Sequence, residues 1–270
     1  MKTTLCLFAV LMLAAPAAAA PAIAPHRAIY DLSLLRANEG ATLQSASGRL
    51  AFEIEGSSCD GFTVSFRMAA RYRPKEGAAT LIDTMTTSYE GPGALDFQHQ
   101  ITERIDGTVR DDHRVKMTRS TPEAAGEGSI SSKPGEAFTI PAGTLLPMQH
   151  QLRLMALGEA GGGRDSSVIF DGSDEGKSYR VITFVGKAKP AHSLVRDAGN
   201  PAAKALEAVS AWPMTVSYFA LDGNSETPEY QVNFDLHENG VATGLVLDYG
   251  EFALGGTLTD LKMLEAADCP

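Results

Sequence analysis

Gly48-Arg49-Leu50-Ala51-Phe52-Glu53-Ile54-Glu55, followed after a Cys59-Asp60-Gly61 turn by Phe62-Thr63-Val64-Ser65-Phe66-Arg67-Met68, is the stretch that decides the fold class. Leu50, Phe52 and Ile54 alternate with Arg49, Ala51, Glu53 and Glu55. Across Gly61 to Tyr72, the residues Phe62, Val64, Phe66 and Met68 fall on one face. A period of two puts alternate side chains on opposite faces of a strand. One apolar face against one polar face is the pattern of an antiparallel sheet with one side packed and the other wet.

The same reading extends outward in both directions. His26 to Leu35 alternates, with Tyr30, Leu32 and Leu34 opposed to Asp31 and Ser33. Thr80–Tyr89, Ala94–Ile105 and Val109–Thr118 are further strands, separated by turns at Gly91-Pro92-Gly93 and Asp106-Gly107. Ser120 to Gly135 reads as loop. Leu146 to Ala156 changes to helical spacing, with Pro147 tolerated in the first turn and Gly158 as the stop. Gly161-Gly162-Gly163 forms a tip, and strands resume at Ser167–Phe170 and Ser178–Lys187. Ala188 to Trp212 fits either a short helix over Ala202–Val209 or a surface loop. The last third returns to strands at Met214–Leu221, Glu229–Leu236, Gly240–Tyr249 and Phe252–Leu264, punctuated by Asp222-Gly223, Asn239-Gly240 and Gly255-Gly256. Two meanders with a helix between them predict a mainly β fold: one strongly curved antiparallel sheet with one short central helix. Two separate domains are the alternative, but no Pro/Ser-rich linker divides the chain.

Residues 1–19 read as a secretory leader, with Lys2, an apolar run from Leu5 to Ala15, and Ala17-Ala18-Ala19 as a small-x-small cleavage site. Cleavage after Ala22 is a second possibility, and 20–270 is then a single domain. Cys6 leaves with the leader. Export to an oxidising compartment favours pairing of the two remaining cysteines, Cys59 and Cys269. Such a bridge would close a loop of roughly 210 residues and contribute ~5 kcal/mol in the chain-entropy picture. Two free cysteines are the alternative. The formal charge of −10 argues against nucleic acid and against docking on anionic lipid. Beyond the leader, no apolar run is long enough for a membrane anchor.

The motifs of common catalysts are missing. There is no G-x-S-x-G elbow, no H-E-x-x-H and no phosphate-binding glycine loop. His26, His99, His113, His150, His192 and His237 are scattered and read as surface or half-buried side chains. Asp111-Asp112-His113 reads as a solvated edge. Asp171-Gly172-Ser173-Asp174-Glu175-Gly176 begins like a calcium loop, but Ile182 stands where the bidentate Glu belongs. It fits an acidic hairpin turn better. Glu53 and Glu55 alternate with core residues and so face outward. Trp212 reads as a core anchor. No enzyme, metal or cofactor is expected.

Four segments carry a resemblance: Ala24-Pro25-His26-Arg27-Ala28-Ile29-Tyr30-Asp31-Leu32; Ser47-Gly48-Arg49-Leu50 leading to Glu53 and the Cys59-Asp60-Gly61 turn; Phe170-Asp171-Gly172-Ser173; and Gly240 to Leu264 closing on Cys269. Together they resemble the EipB-type cell-envelope integrity proteins of Gram-negative bacteria. The resemblance implies a periplasmic protein folded as a β-spiral, similar to the half-barrels of LolA and LolB, with a disulfide matching Cys59 and Cys269. It also implies a role in envelope integrity and stress resistance without enzymatic activity, and a periplasmic tetratricopeptide-repeat protein as partner. Ser120–Gly135 and Ala188–Ala211 are the loops available for protein binding. The alternative is a carrier or sensor of a lipid or lipoprotein acyl chain, held on a concave hydrophobic face that includes Phe52, Phe62, Phe66 and Phe97.

Overall fold

The computed structural model describes residues 23–190, 201–221, 223 and 225–266. The strands are β1 (His26–Ala37), β2 (Leu43–Ser57), β3 (Gly61–Pro74), β4 (Thr80–Glu90), β5 (Asp96–Ile105), β6 (Thr108–Thr118) and β7 (Gly126–Ile130). They continue with β8 (Ala137–Ile140), β9 (Gly163–Ile169), β10 (Tyr179–Val185), β11 (Ala211–Ala220), β12 (Tyr230–His237), β13 (Ala242–Asp248) and β14 (Phe252–Met263). Among the described residues one α-helix, α1 (Pro147–Glu159), interrupts them.

All 14 strands form one sheet in the order β8-β7-β6-β5-β4-β3-β2-β1-β14-β13-β12-β11-β10-β9. Every pairing is antiparallel, and β1 against β14 joins the two meanders. Register keeps faces together: Leu50, Phe52 and Ile54 lie opposite Met68, Phe66 and Val64. The sheet curls so that this apolar face becomes the inside. β8 and β9, its two ends, do not pair with each other, so the spiral stays open as a ladder.

Two helical segments fill the inside. Met148, Leu154 and Met155 of α1 pack with Ile54, Phe62, Val185, Trp212, Met214 and Leu236. Leu206, at the end of a 3₁₀ turn Pro201–Leu206, packs with Ala28, Tyr30, Leu32, Leu258 and Val241. Phe97, Met117, Ile140, Leu146 and Phe170 form a third cluster. Full burial of a large apolar side chain stabilises by about 1.5–3 kcal/mol, so these plugs, rather than barrel closure, hold the curvature.

Pro147 begins α1, where its missing N–H costs nothing. The helix has an unusual cap. The buried carboxylate of Glu90 accepts from the Met148 and Gln149 amides at 2.8 and 3.1 Å, and Gln149 Oε1 accepts from the Leu146 amide at 3.1 Å. Arg119, also buried, donates to Gln149 Oε1 and to the carbonyls of Ala94 and Thr144.

Several expectations are corrected. Ser120–Gly135 is not all loop: it contains β7, and β8 follows directly. Gly126 and Gly128 are there for packing, because a Cβ would lie 2.5 Å from Met117 Sδ and 2.2 Å from the Phe138 ring. Gly158 does not stop α1, which runs on to Glu159. It lets the Trp212 ring approach, with a Cβ position only 2.4 Å from that ring. Gly255-Gly256 is not a turn but lies within β14, facing Leu245 and Leu32 at Gly256. The actual turn is Tyr249–Glu251. β9 starts at Gly163 rather than Ser167, and β5 starts at Asp96 after a 3₁₀ turn at Pro92–Ala94. Asp222, half of an expected turn, lies outside the described residues.

Candidate functional site

The inner face is filled over most of its length, but at one end it opens. A cleft of about 620 Å³ lies between the last inner residues of β3 and β4, the β1–β2 connection and the β13–β14 turn. Its floor is Met68, Ile82 and Tyr72, and its opposite wall is Tyr249 and Phe252. Clefts of this size, mostly apolar with a few polar groups, are the usual form of a binding site.

Strand register places the floor. Met68, Ala70 and Tyr72 share the inner face of β3, and they lie across from Thr84, Ile82 and Thr80 on β4. The wall depends on a fixed turn. Arg36 binds Asp248 with two hydrogen bonds, at 2.8 and 2.9 Å, and Asn38 donates to Gly250 O at 3.0 Å. The Gly250 amide returns to Asp248 Oδ1 at 2.9 Å, with φ at +81°, a left-handed conformation suited to glycine. Phe252 then meets Tyr72 edge-on at 6.1 Å and Tyr249 at 5.1 Å.

Partial burial pushes the Tyr72 phenol up, and Tyr249 is pushed up to about 12 by burial and by Tyr72. Both remain neutral hydrogen-bonding groups at any physiological pH. Glu103 and Glu251 supply the acidic lining, and Glu103 accepts from Thr84 Oγ1 at 3.3 Å. The site can hold an apolar group against aromatic rings and offer phenols and two carboxylates, Glu103 and Glu251, at its rim. Nothing in it forms a nucleophile–base pair.

The residues expected to line a concave hydrophobic face lie on the inner face, but in its filled part rather than at the cleft. Phe62 and Phe97 are 7% and 1% exposed and belong to two different core clusters. Phe52 and Phe66 are half-buried and pack against the cores around α1 and Leu206. None of the four lines the cleft. Its floor lies farther along the same inner face of β3, and the turn that makes its wall carries no hydrophobic periodicity. Sequence alternation gave the face but not the place where the plugs stop.

Cys59 is exposed in the β2–β3 turn, its amide donating to Ser57 Oγ at 3.2 Å. Cys269 lies outside the described residues. The chain leading to it ends nearby: Met263 lies opposite His26, which lies opposite Ile54 of β2, and the Leu264 amide donates to Pro25 O at 2.8 Å.

The five described histidines are neither on the surface nor half-buried, as their scatter suggested. His26, His99, His113, His150 and His237 are all buried, because each occupies an inner strand position or the core side of α1. His192 lies outside the described residues. Asp111-Asp112-His113 does lie on an edge, since β6 is paired there with β5 alone and β7 joins it only from Val115 onward; Asp112 is exposed, and His113 points inward. His150 Nε2 is 3.6 Å from Asp165 Oδ2. Burial opposes the Asp165 charge, but the nearby His150 ring and hydrogen bonds from Ser167 and Arg153 hold its carboxyl well below the ordinary range. Among the described residues no three His, Cys, Asp or Glu side chains converge to hold a metal, and no helix is long and apolar enough to cross a membrane.

An open, internally plugged antiparallel spiral with a cleft at one end defines the class: β-barrel-like proteins whose sheet curls without closing. The chain belongs to the EipB-like family, whose pattern it matches over residues 17–265. It is 32% identical over 256 residues to the cell envelope integrity protein EipB of Brucella abortus (strain 2308), covering 93% of this chain and 88% of that protein. It also superposes on the crystal structure of a beta-barrel-like protein of domain of unknown function DUF1849 from Brucella abortus. That match has a TM-score of 0.81 and 27% identity, over 90% of this chain and 99% of the other.

Proposed function

We propose that this protein supports cell-envelope integrity from the periplasm, without catalysing a reaction, by holding a protein partner in the cleft between Tyr72 and Tyr249. The envelope role rests on the similarity to the Brucella abortus cell envelope integrity protein. The observation that carries the binding mode is the contrast inside the spiral. The hydrophobic clusters and α1 occupy the interior, while an aromatic-walled cleft is left open at one end. Aromatic anchors in a shaped pocket are what a protein interface concentrates its binding energy on. A periplasmic tetratricopeptide-repeat protein is the partner we would seek first.

A second reading keeps the same cleft but puts an acyl chain in it, favoured by the apolar floor of Met68 and Ile82. A photo-cross-linking amino acid at Tyr249, which is 38% exposed, tests the proposal in intact cells. A discrete protein adduct supports the partner reading. Cross-linking to lipid alone replaces it with the acyl-chain reading, and absence of any adduct removes the cleft from the mechanism.

A further inference from the structure

The two free ends of the sheet are fastened by the connection between β9 and β10, residues 170–178. Phe170 is fully buried, 5.7 Å from Phe97 on β5 and 5.3 Å from Phe138 on β8. Gly172 lies directly on β5, where a Cβ would be 2.8 Å from the His99 Cβ. Gly176 lies on Phe138, and Glu175 forms an ion pair with Lys133. The seam therefore closes through the side chains of this loop and a single parallel bridge between Ile169 and Leu145, in which the Phe170 amide donates to Leu145 O at 3.0 Å, rather than through a strand ladder.

His99 sits beneath this loop. It is 7% exposed, stacked on Phe97 at 6.3 Å, and neither ring nitrogen has a hydrogen-bond partner among the described residues. The groups facing it are few. The loop contributes Asp171, and β6 contributes His113, whose Nδ1 is 2.8 Å from Asp111 and whose Nε2 is unpartnered. Ser88 is its neighbour on β4, with Glu90 two residues farther on the same face. Asp171 also acts on Tyr179, Tyr218 and Tyr230 across the interior. Burial lowers the proton affinity of His99. Asp171 opposes that effect and His113 adds to it. A buried imidazole with neither nitrogen partnered, as at His99, is costly to charge in place.

We propose that the Phe170–Ser178 loop is an acid-released clasp: protonation of His99 lifts it from β5 and β8 and parts the seam between β8 and β9. The direction follows from linkage. In the closed form His99 binds a proton more weakly than an exposed histidine at 6.5, so the open form takes up the proton first. The stability of the clasp is intact above that pH and falls as pH drops below it. Opening exposes Phe97, Phe138 and Phe170, an apolar surface hidden at neutral pH.

Hydrogen exchange of the intact protein at pH 7.5 and pH 5.5, corrected for intrinsic rates, reads the clasp directly. Loop 170–178 and β8 should exchange faster at the lower pH, by more than about threefold and by no more than about tenfold per pH unit for one proton. The rise should vanish in His99→Gln. Equal corrected rates at both pH values, or a rise that survives in His99→Gln, overturns the proposal. Should that variant not fold, the His99 ring titrated by NMR in the native protein decides. An ordinary or raised midpoint with the loop still protected rejects the clasp, whereas a lowered midpoint coincident with loss of protection supports it.

Discussion

Gly158 and Trp212 show how one missing methyl shapes this molecule. The ring of Trp212 occupies the space a Cβ at 158 would need. Gly158→Ala should therefore destabilise the fold by about 1–3 kcal/mol, as overpacking does, read as a lower urea midpoint with an unchanged slope. An Ala at an ordinary helix position would stabilise instead, so the sign of the change is decisive. Glu90 is the second residue with a sharp consequence. Burial pushes its carboxyl up to about 7, against the opposing pull of the α1 amides and Arg119. A raised carboxyl holds its proton more tightly in the folded state than in the unfolded one. Its contribution to stability is thus present below about 4.5 and lost as pH rises to about 7. Glu90→Gln should remove that slope between pH 5 and pH 8, at the cost of opposing its amide to a helix N–H. A slope that survives the substitution would assign the titration to another group. Removing Arg119 leaves the Ala94 and Thr144 carbonyls without that donor, and Arg119→Met should cost about 3 kcal/mol.

At the scale of elements, β7 teaches most. Five residues, Gly126-Glu127-Gly128-Ser129-Ile130, make a real strand because their glycines let Met117, Ile140 and Phe138 close over them. Gly128→Val, favourable by strand propensity alone, should instead detach β7 and β8 from β6, visible as lost exchange protection confined to residues 126–140. The long alternating strands β1 to β6 were readable in the sequence because each carries its own period of two. β7 and β8 were not, since their reason for pairing lies on other strands. The five described histidines were misplaced for a related reason. Alternation assigns a residue to a face, but only the curvature of the whole sheet says that the face is interior. The same limit explains the cleft. Phe52, Phe62, Phe66 and Phe97 were found as one apolar face, yet where that face stays open depends on the α1 and Leu206 clusters reaching Met68 but not Tyr72 and Ile82.

At the scale of the whole molecule, a sheet that curls without closing must be held by something other than its own ladder. The plugs do part of this, and the proposed Cys59–Cys269 bridge would tie the C-terminal end of β14 to the β2–β3 turn. Cys59→Ser should lower the melting temperature and the cellular level of the protein, with a loss of up to about 5 kcal/mol if chain entropy is the main contribution. An unchanged melting curve would leave the bridge without a structural role. The central claim is that the open cleft, and not chemistry in the interior, carries the envelope role. Its most direct test is complementation of a strain lacking the gene by Tyr249→Asp and by Ile82→Asn, scored as survival under detergent stress, with melting curves and protein levels measured alongside. The account predicts that both variants accumulate as folded protein and fail to protect the envelope. Full protection by both folded variants would contradict it.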